Sequence, residues 1–255
     1  MSKRFKGLIC AYCSERPSVT GDHVFAREFF LKTQRANLPQ VPACDQCNGA
    51  KSKLEHYLTA VLPFGGRHAD ALTNLSDMVA PRLSKNQKLH GTLSRNTTQI
   101  WTQTDSGLHV QTMALPFEPE RLVDLFKYIV RGLLFYHWKV RLTNDHFSEV
   151  ILLASGGQHM FDSFMKMTAK TRINGNLGNH TFVYDGIQGT DSDDISAWRF
   201  SIYGGLTLTG DPRAPGEETV QIGALTGPKR VSERAALRAK WSAGLGVMRQ
   251  RKGGR

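Results

Sequence analysis

The chain of 255 residues has no cysteine beyond position 47. It also has no unbroken run of about 18 apolar residues, so no membrane-spanning helix is expected. The longest such stretch, from Ile129 to Trp138, is interrupted by Arg131 and Gly132. Acidic residues are scarce: 22 Asp and Glu face 33 Lys and Arg, for a net charge of +11. The opening MSKRFKGLIC is basic, but its apolar part is too short for a signal peptide, so the expected location is the cytoplasm. In that compartment disulfides are disfavoured, and cysteines in pairs read as metal ligands. The 40% hydrophobic content argues against wholesale disorder.

The positive charge sits at the two ends. Residues 1–60 hold nine Lys and Arg against five Asp and Glu, and residues 227–255 hold nine against one. The intervening stretch is close to neutral. A basic excess of this size points to a polyanion, with DNA as the expected partner, although a basic tail can equally be a solvated appendage.

Four segments follow from composition and punctuation. Residues 1–63 hold the cysteines and end in a helix expected over Cys47 to Val61, stopped by Pro63-Phe64-Gly65-Gly66. Residues 64–96 read as a helical connector with loops. Residues 97–226 read as a mixed helix and antiparallel-sheet unit. A hairpin over 97–115 turns at Thr104 to Gly107. A long helix is expected over 119–141, because Leu122, Phe126, Ile129, Leu133 and Tyr136 recur at spacings of three and four after Pro119. That stripe is core rather than a cofactor site. Beyond it, 149–154, 180–186, 197–210 and 219–225 read as strands, and 159–170 as a helix. Residues 227–255 form the basic tail. No role follows from the sequence for 97–226 beyond substrate choice, regulation, or contact with a protein partner or second copy.

The chemistry-bearing residues lie in the first segment. Cys10-Ala11-Tyr12-Cys13 and Cys44-Asp45-Gln46-Cys47 are two CxxC knuckles. Each turn aims two thiolates at one point, and two turns complete a closed tetrahedral shell for Zn²⁺. Four thiolates leave no open position, so this zinc is expected to be structural. It would stabilise a unit too small for a large core, by roughly 10–16 kcal/mol in isolated finger peptides. The alternative is four reduced cysteines packed in a core, against which the doubled spacing argues. Between the knuckles stands Asp22-His23, directly after the second stands Asn48, and three residues later Lys51-Ser52. An Asp-His pair alone is a weak signal. Zinc-bridged knuckles on either side could bring Asp22, His23 and Asn48 together.

The order CxxC, then DH, then CNxxKS resembles the HNH endonucleases, in the branch whose ββα-metal core is braced by a four-cysteine zinc. The matching residues are Cys10, Cys13, Asp22, His23, Cys44, Cys47, Asn48 and Lys51, within about residues 8–60. The resemblance implies an α+β protein with a small zinc-braced ββα-metal module at its N-terminus. It implies His23 as general base, Asp22 and Asn48 as ligands of a catalytic Mg²⁺ or Mn²⁺, and Lys51 turned toward the phosphate. Arg27 and Lys53 are further candidates for nucleic-acid contact, each equally readable as a solvated charge. Many relatives carry a hairpin Asn that orients the catalytic His; Asn37 lies near that place, and the role stays open. Compact members with an added domain often belong to restriction, mobile-element or phage-defence systems. Two other readings share much of the pattern. One is a non-catalytic zinc module that binds nucleic acid, and the other is an RNase with the same site.

Overall fold

The structure, a computed structural model, describes residues 3–103, 106–208 and 219–230. It is a mixed α/β protein built from helices and antiparallel sheets, with a four-cysteine cluster near its N-terminus. Strands β1 (Thr20–His23) and β2 (Gln40–Ala43) form a short antiparallel pair in which Asp22 faces Val41 and His23 faces Gln40. Helix α1 (Asp45–Val61) follows β2 with one residue between them. Its inward face repeats at Cys47, Lys51, Leu54, Leu58 and Val61, at spacings of four and three that keep one stripe on the core. Lys51 is the only charged residue on that stripe.

The connector is helical. It comprises α2 (Ala69–Asn74), a π-turn over Leu75–Val79, α3 (Ala80–Lys85) and α4 (Gln87–Asn96). Strands β3 (Thr98–Gln103) and β4 (His109–Ala114) make the expected hairpin, which pairs only with itself among the described residues. Helix α5 (Pro119–Trp138) has Pro119 in its first turn and stops at Lys139, whose φ of 58° is left-handed. It therefore ends short of the expected 141.

The large sheet runs in the order β5 (His146–Leu153), β10 (Thr219–Pro228), β8 (Ser196–Ile202), β7 (Phe182–Gln188), β6 (Thr171–Leu177), with the short β9 (Leu206–Thr207) also on β10. Every pairing is antiparallel. Strand β6 was not expected from its sequence, TRINGNL, whose Asn-Gly-Asn reads as a turn. It is an edge strand, and Gly175 lies under the Tyr184 ring, where a Cβ would stand 2.2 Å from the ring carbons. The helix expected over 159–170 is instead α6 (Ser155–Lys166), placed so that Phe161 and Met165, four apart, bury together against the sheet. Strand β10 runs through Gly227 and Pro228, opposite Phe147 and His146, two residues into the segment read as tail. The rest of that tail, from residue 231, lies outside the described residues.

Helix α5 touches α1 and β2 as well as β5 and β10, and so joins the first segment to the large sheet. Gly132 permits the approach: a Cβ there would meet Val24 at 3.0 Å and Tyr12 at 3.3 Å. Phe25, two residues after His23, inserts among Phe182 at 4.4 Å and Tyr184 at 5.6 Å between ring centres. One buried cluster extends from Cys10 and Val24 through Phe126 to Trp198 and Ala224. The first segment and the sheet thus share a core.

Candidate functional site

The cysteine cluster fits a metal ion. The Sγ atoms of Cys10, Cys13, Cys44 and Cys47 lie within 4.8 Å of one another. Four sulfurs about 2.3 Å from a tetrahedral zinc stand about 3.8 Å apart, and Cys13 Sγ and Cys44 Sγ are separated by 3.9 Å. The first knuckle is held by backbone bonds, from Cys10 N to Arg16 O and from Ala11 N to Pro42 O. The second is the start of α1, where Asn48 N donates to Cys44 O. Arg16, which the sequence did not single out, donates through Nε to Cys44 Sγ at 3.3 Å and through Nη2 to Cys47 Sγ at 3.6 Å. Burial raises the Cys44 thiol, but Arg16 and the neighbouring donors outweigh it and bring it to about 6. A sulfur set with a guanidinium against it suits a four-thiolate metal centre, which carries excess negative charge.

The Asp22-His23 pair sits on β1, backed by α1. Tyr12, inside the first knuckle, is buried and donates its hydroxyl to Asp22 Oδ2 at 2.6 Å. Burial first, then the Asp22 charge, keeps that phenol protonated. Lys51 Nζ lies 3.0 Å from the same Oδ2, donates to His23 O at 2.7 Å and pairs with Glu55 Oε1. Burial pushes the Glu55 carboxyl up to about 7, against the pull of Lys51. Asp22 Oδ1 has no partner among the described residues.

The His23 imidazole is fixed at one nitrogen. Its Nε2 lies 2.8 Å from the Gln40 amide, directly across the β1–β2 register. The atom placed there is the amide nitrogen, which donates to Nε2 and would leave the ring proton on Nδ1; rotating the amide by 180° presents its oxygen to Nε2–H instead. With the oxygen turned to Nε2–H, Nδ1 carries the free lone pair, and Nδ1 has no partner among the described residues. Burial and then the charge of Arg27 hold His23 below its ordinary pKa, against the opposing pull of Asp22. The ring is therefore neutral near pH 7.

The positions of the other expected residues differ in kind. Asn48 is half-buried in the first turn of α1, and its amide has no partner among the described residues. Residues three apart on a helix share a face, so Asn48 stands one turn before the Lys51 that touches Asp22 and His23. Lys51 itself corrects the expectation of a phosphate contact. It is 0% exposed, and three acceptors consume its ammonium. Arg27 and Lys53 are exposed, and neither side chain has a partner among the described residues. Asn37 is exposed, with a left-handed φ of 58°, and does not touch His23; Gln40 does. Gln40, Tyr12 and Arg16 were missed. For Gln40 the hairpin register was the available signal, and for Tyr12 its place inside the CxxC turn.

Comparison with protein-family models, curated proteins and solved structures finds no match to this chain. No helix among the described residues is long and apolar enough to cross a membrane.

Proposed function

We propose that the chain is a metal-dependent endonuclease of the HNH type that hydrolyses phosphodiester bonds in DNA. The observation that carries this reading is the seating of His23. Its Nε2 is fixed by Gln40 at 2.8 Å, and its Nδ1 is open, on a strand backed by the helix that bears Asn48. The strand, strand and helix order over a four-cysteine cluster gives further support.

In this reading the zinc held by Cys10, Cys13, Cys44 and Cys47 is structural, because its shell is closed. His23, neutral near pH 7, takes the proton from an attacking water. With its amide rotated so that the oxygen accepts from Nε2–H, Gln40 would keep the ring in the orientation and tautomer that leave Nδ1 free for this. Asp22, through Oδ1, and Asn48, through its amide oxygen, are the groups that would hold Mg²⁺ or Mn²⁺. Such an ion supplies charge neutralisation at the scissile phosphate and at the leaving oxygen. Tyr12 and Lys51 fix Asp22 through Oδ2, so its free oxygen points to one place. Arg27 and Lys53, exposed near the site in sequence, are the cations available to the phosphate backbone.

A second reading, a non-catalytic zinc module that binds nucleic acid, is favoured by one contact. Lys51 Nζ already neutralises Asp22, so that carboxylate needs no metal ion for its charge balance. Incubating the protein with supercoiled plasmid, with and without Mg²⁺ or Mn²⁺, separates the two. Divalent-dependent nicking that His23→Ala abolishes is the expected result. Binding with no nicking by any form rejects the nuclease reading. A parallel incubation with RNA decides whether the same site acts on ribose.

A further inference from the structure

A cleft of about 310 Å³ opens beside the Gln40 that fixes His23. Gln40 and Asn37 line it from the first segment, Tyr136 and Lys139 from the end of α5, and Arg4 from the N-terminal turn. No Asp or Glu is among its described lining residues. It combines two cations, two amides and an aromatic face, which is the chemistry of a nucleotide: a phosphate, hydrogen-bonding base edges and a π-surface.

The details favour a site that receives a base. Tyr136, in the last turn of α5, is 40% exposed. Phe135 beside it has Arg141 Cζ 4.3 Å from its ring centre, whereas Tyr136, which meets the His137 ring at 4.9 Å and 88°, is the more exposed ring and the surface offered for stacking. Lys139 is placed by an uncommon backbone. It holds the left-handed position that ends α5, where glycine is the usual residue, and its Nζ is anchored on Tyr136 O at 2.9 Å. Its ammonium stands 5.4 Å from the Phe135 ring centre and 6.0 Å from that of Tyr136, at the rim of the same surface. Arg4 lies against the Phe5 ring at 5.3 Å, which holds its guanidinium over the cleft wall.

We propose that this cleft binds one unpaired nucleotide of a single-stranded segment, its base stacked on Tyr136 and its phosphate between Lys139 and Arg4. The volume is at the lower end for ligand sites and takes a single nucleotide rather than a stack of base pairs. The inference rests on the nuclease reading only for its meaning. Gln40 both lines the cleft and contacts His23 Nε2, so the bound nucleotide would lie one side chain from the His23 ring, on its Nε2 side. The substrate would then be a strand with an unpaired or extruded nucleotide near the cut.

The test is fluorescence anisotropy without added divalent ion. The probes are a labelled 12-mer of deoxythymidine, a 12-mer of uridine, and a blunt duplex of the same length. Tyr136→Leu keeps an apolar side chain and should weaken binding of a single-stranded probe about tenfold or more. Its duplex binding should stay within twofold of wild type. Lys139→Gly relieves the left-handed backbone, so it should fold at least as well as wild type. It should lower the slope of log affinity against log salt on the single strand by about 0.7. Tyr136 dependence on one probe or both supports the cleft and tells deoxyribose from ribose. Single-strand binding within twofold of wild type in both variants overturns it, even if plasmid nicking is intact. Tyr136-dependent binding in a protein that never nicks would overturn only the nuclease reading.

Discussion

Lys51 Nζ lies 3.0 Å from Asp22 Oδ2, and both side chains are almost wholly out of solvent. The same ammonium bonds the carbonyl oxygen of His23 and the carboxylate of Glu55, so one buried cation ties helix α1 to the strand that carries the site. Removing it should leave Asp22 and Glu55 facing each other without a counter-charge. Lys51→Met is expected to cost about 3–5 kcal/mol, the usual penalty for breaking a buried pair. Thermal or urea unfolding measures it. Mn²⁺ should raise the Tm of Lys51→Met more than that of wild type, since a divalent ion can then meet the Asp22 charge alone. A variant as stable as wild type would show that the contact contributes little.

His23→Ala is expected to reduce plasmid cleavage by about 10²–10⁴-fold, the worth of a general base. Zinc content and folding should persist. Gln40→Leu removes the orienting bond at Nε2 and one of the two amides lining the cleft beside it. It should lower kcat by roughly tenfold, a smaller loss than that of the base itself, while any rise in KM reports the cleft. Equal losses in both variants would mean that Gln40 does more than hold the ring; wild-type cleavage by His23→Ala would remove the catalytic assignment.

Protein purified without chelator should contain one zinc per chain by elemental analysis. Arg16→Ala takes two N–H···S bonds from Cys44 and Cys47. Its zinc affinity should fall by roughly 10–100-fold, the usual effect of losing a partner of the ligands. Competition with a chromophoric chelator reads this directly. Since the cysteine knuckles and the large sheet share one core, stripping the zinc should shift the unfolding of the whole chain. Near-UV circular dichroism at the buried Trp198 would report it. A first segment that melts alone, with the sheet signal unchanged, would contradict that coupling.

His137, whose ring meets that of Tyr136 at 4.9 Å, supplies a pH dependence apart from His23. Burial, then the charge of Lys139, holds its pKa at about 4, and it is bonded to Tyr184 Oη at 3.0 Å. An unfolded histidine titrates near 6.5. The folded state therefore disfavours the protonated form. The stability from neutral His137 is complete above about pH 6.5 and is lost as pH falls toward 4. Its size is at most roughly 2 kcal/mol once solvent screening is allowed for. His137→Gln should flatten the stability profile between pH 6.5 and 4. An unchanged slope in that window would show that other groups set the acid limit.

Elements with strong local signals were legible in the residues alone. The two CxxC turns specify the cysteine cluster because each turn fixes two sulfurs within four residues. The Pro119 start and the three-and-four stripe of α5 specify that helix, and the hairpin over 97–115 follows from its alternation and turn. Asp22, His23 and Asn48 could be picked out as chemistry-bearing residues without coordinates. Their surroundings could not. Lys51 reads as a surface cation because charge is the only property the sequence displays. Its burial follows from its place on the Cys47–Leu54–Leu58 stripe, and that place has meaning only once Asp22 and Glu55 are there to receive the ammonium. Gln40 became the partner of His23 through strand register, and Arg16 reached the sulfurs through the fold of the first knuckle. Strand β6 exists because β7 offers it an edge and Gly175 leaves room for Tyr184, neither of which is a local property. Local chemistry is written in neighbouring residues, whereas burial, register and charge pairing depend on what arrives from elsewhere in the chain. That is why the groups left open around His23 follow from the folded arrangement and not from its neighbours in the chain.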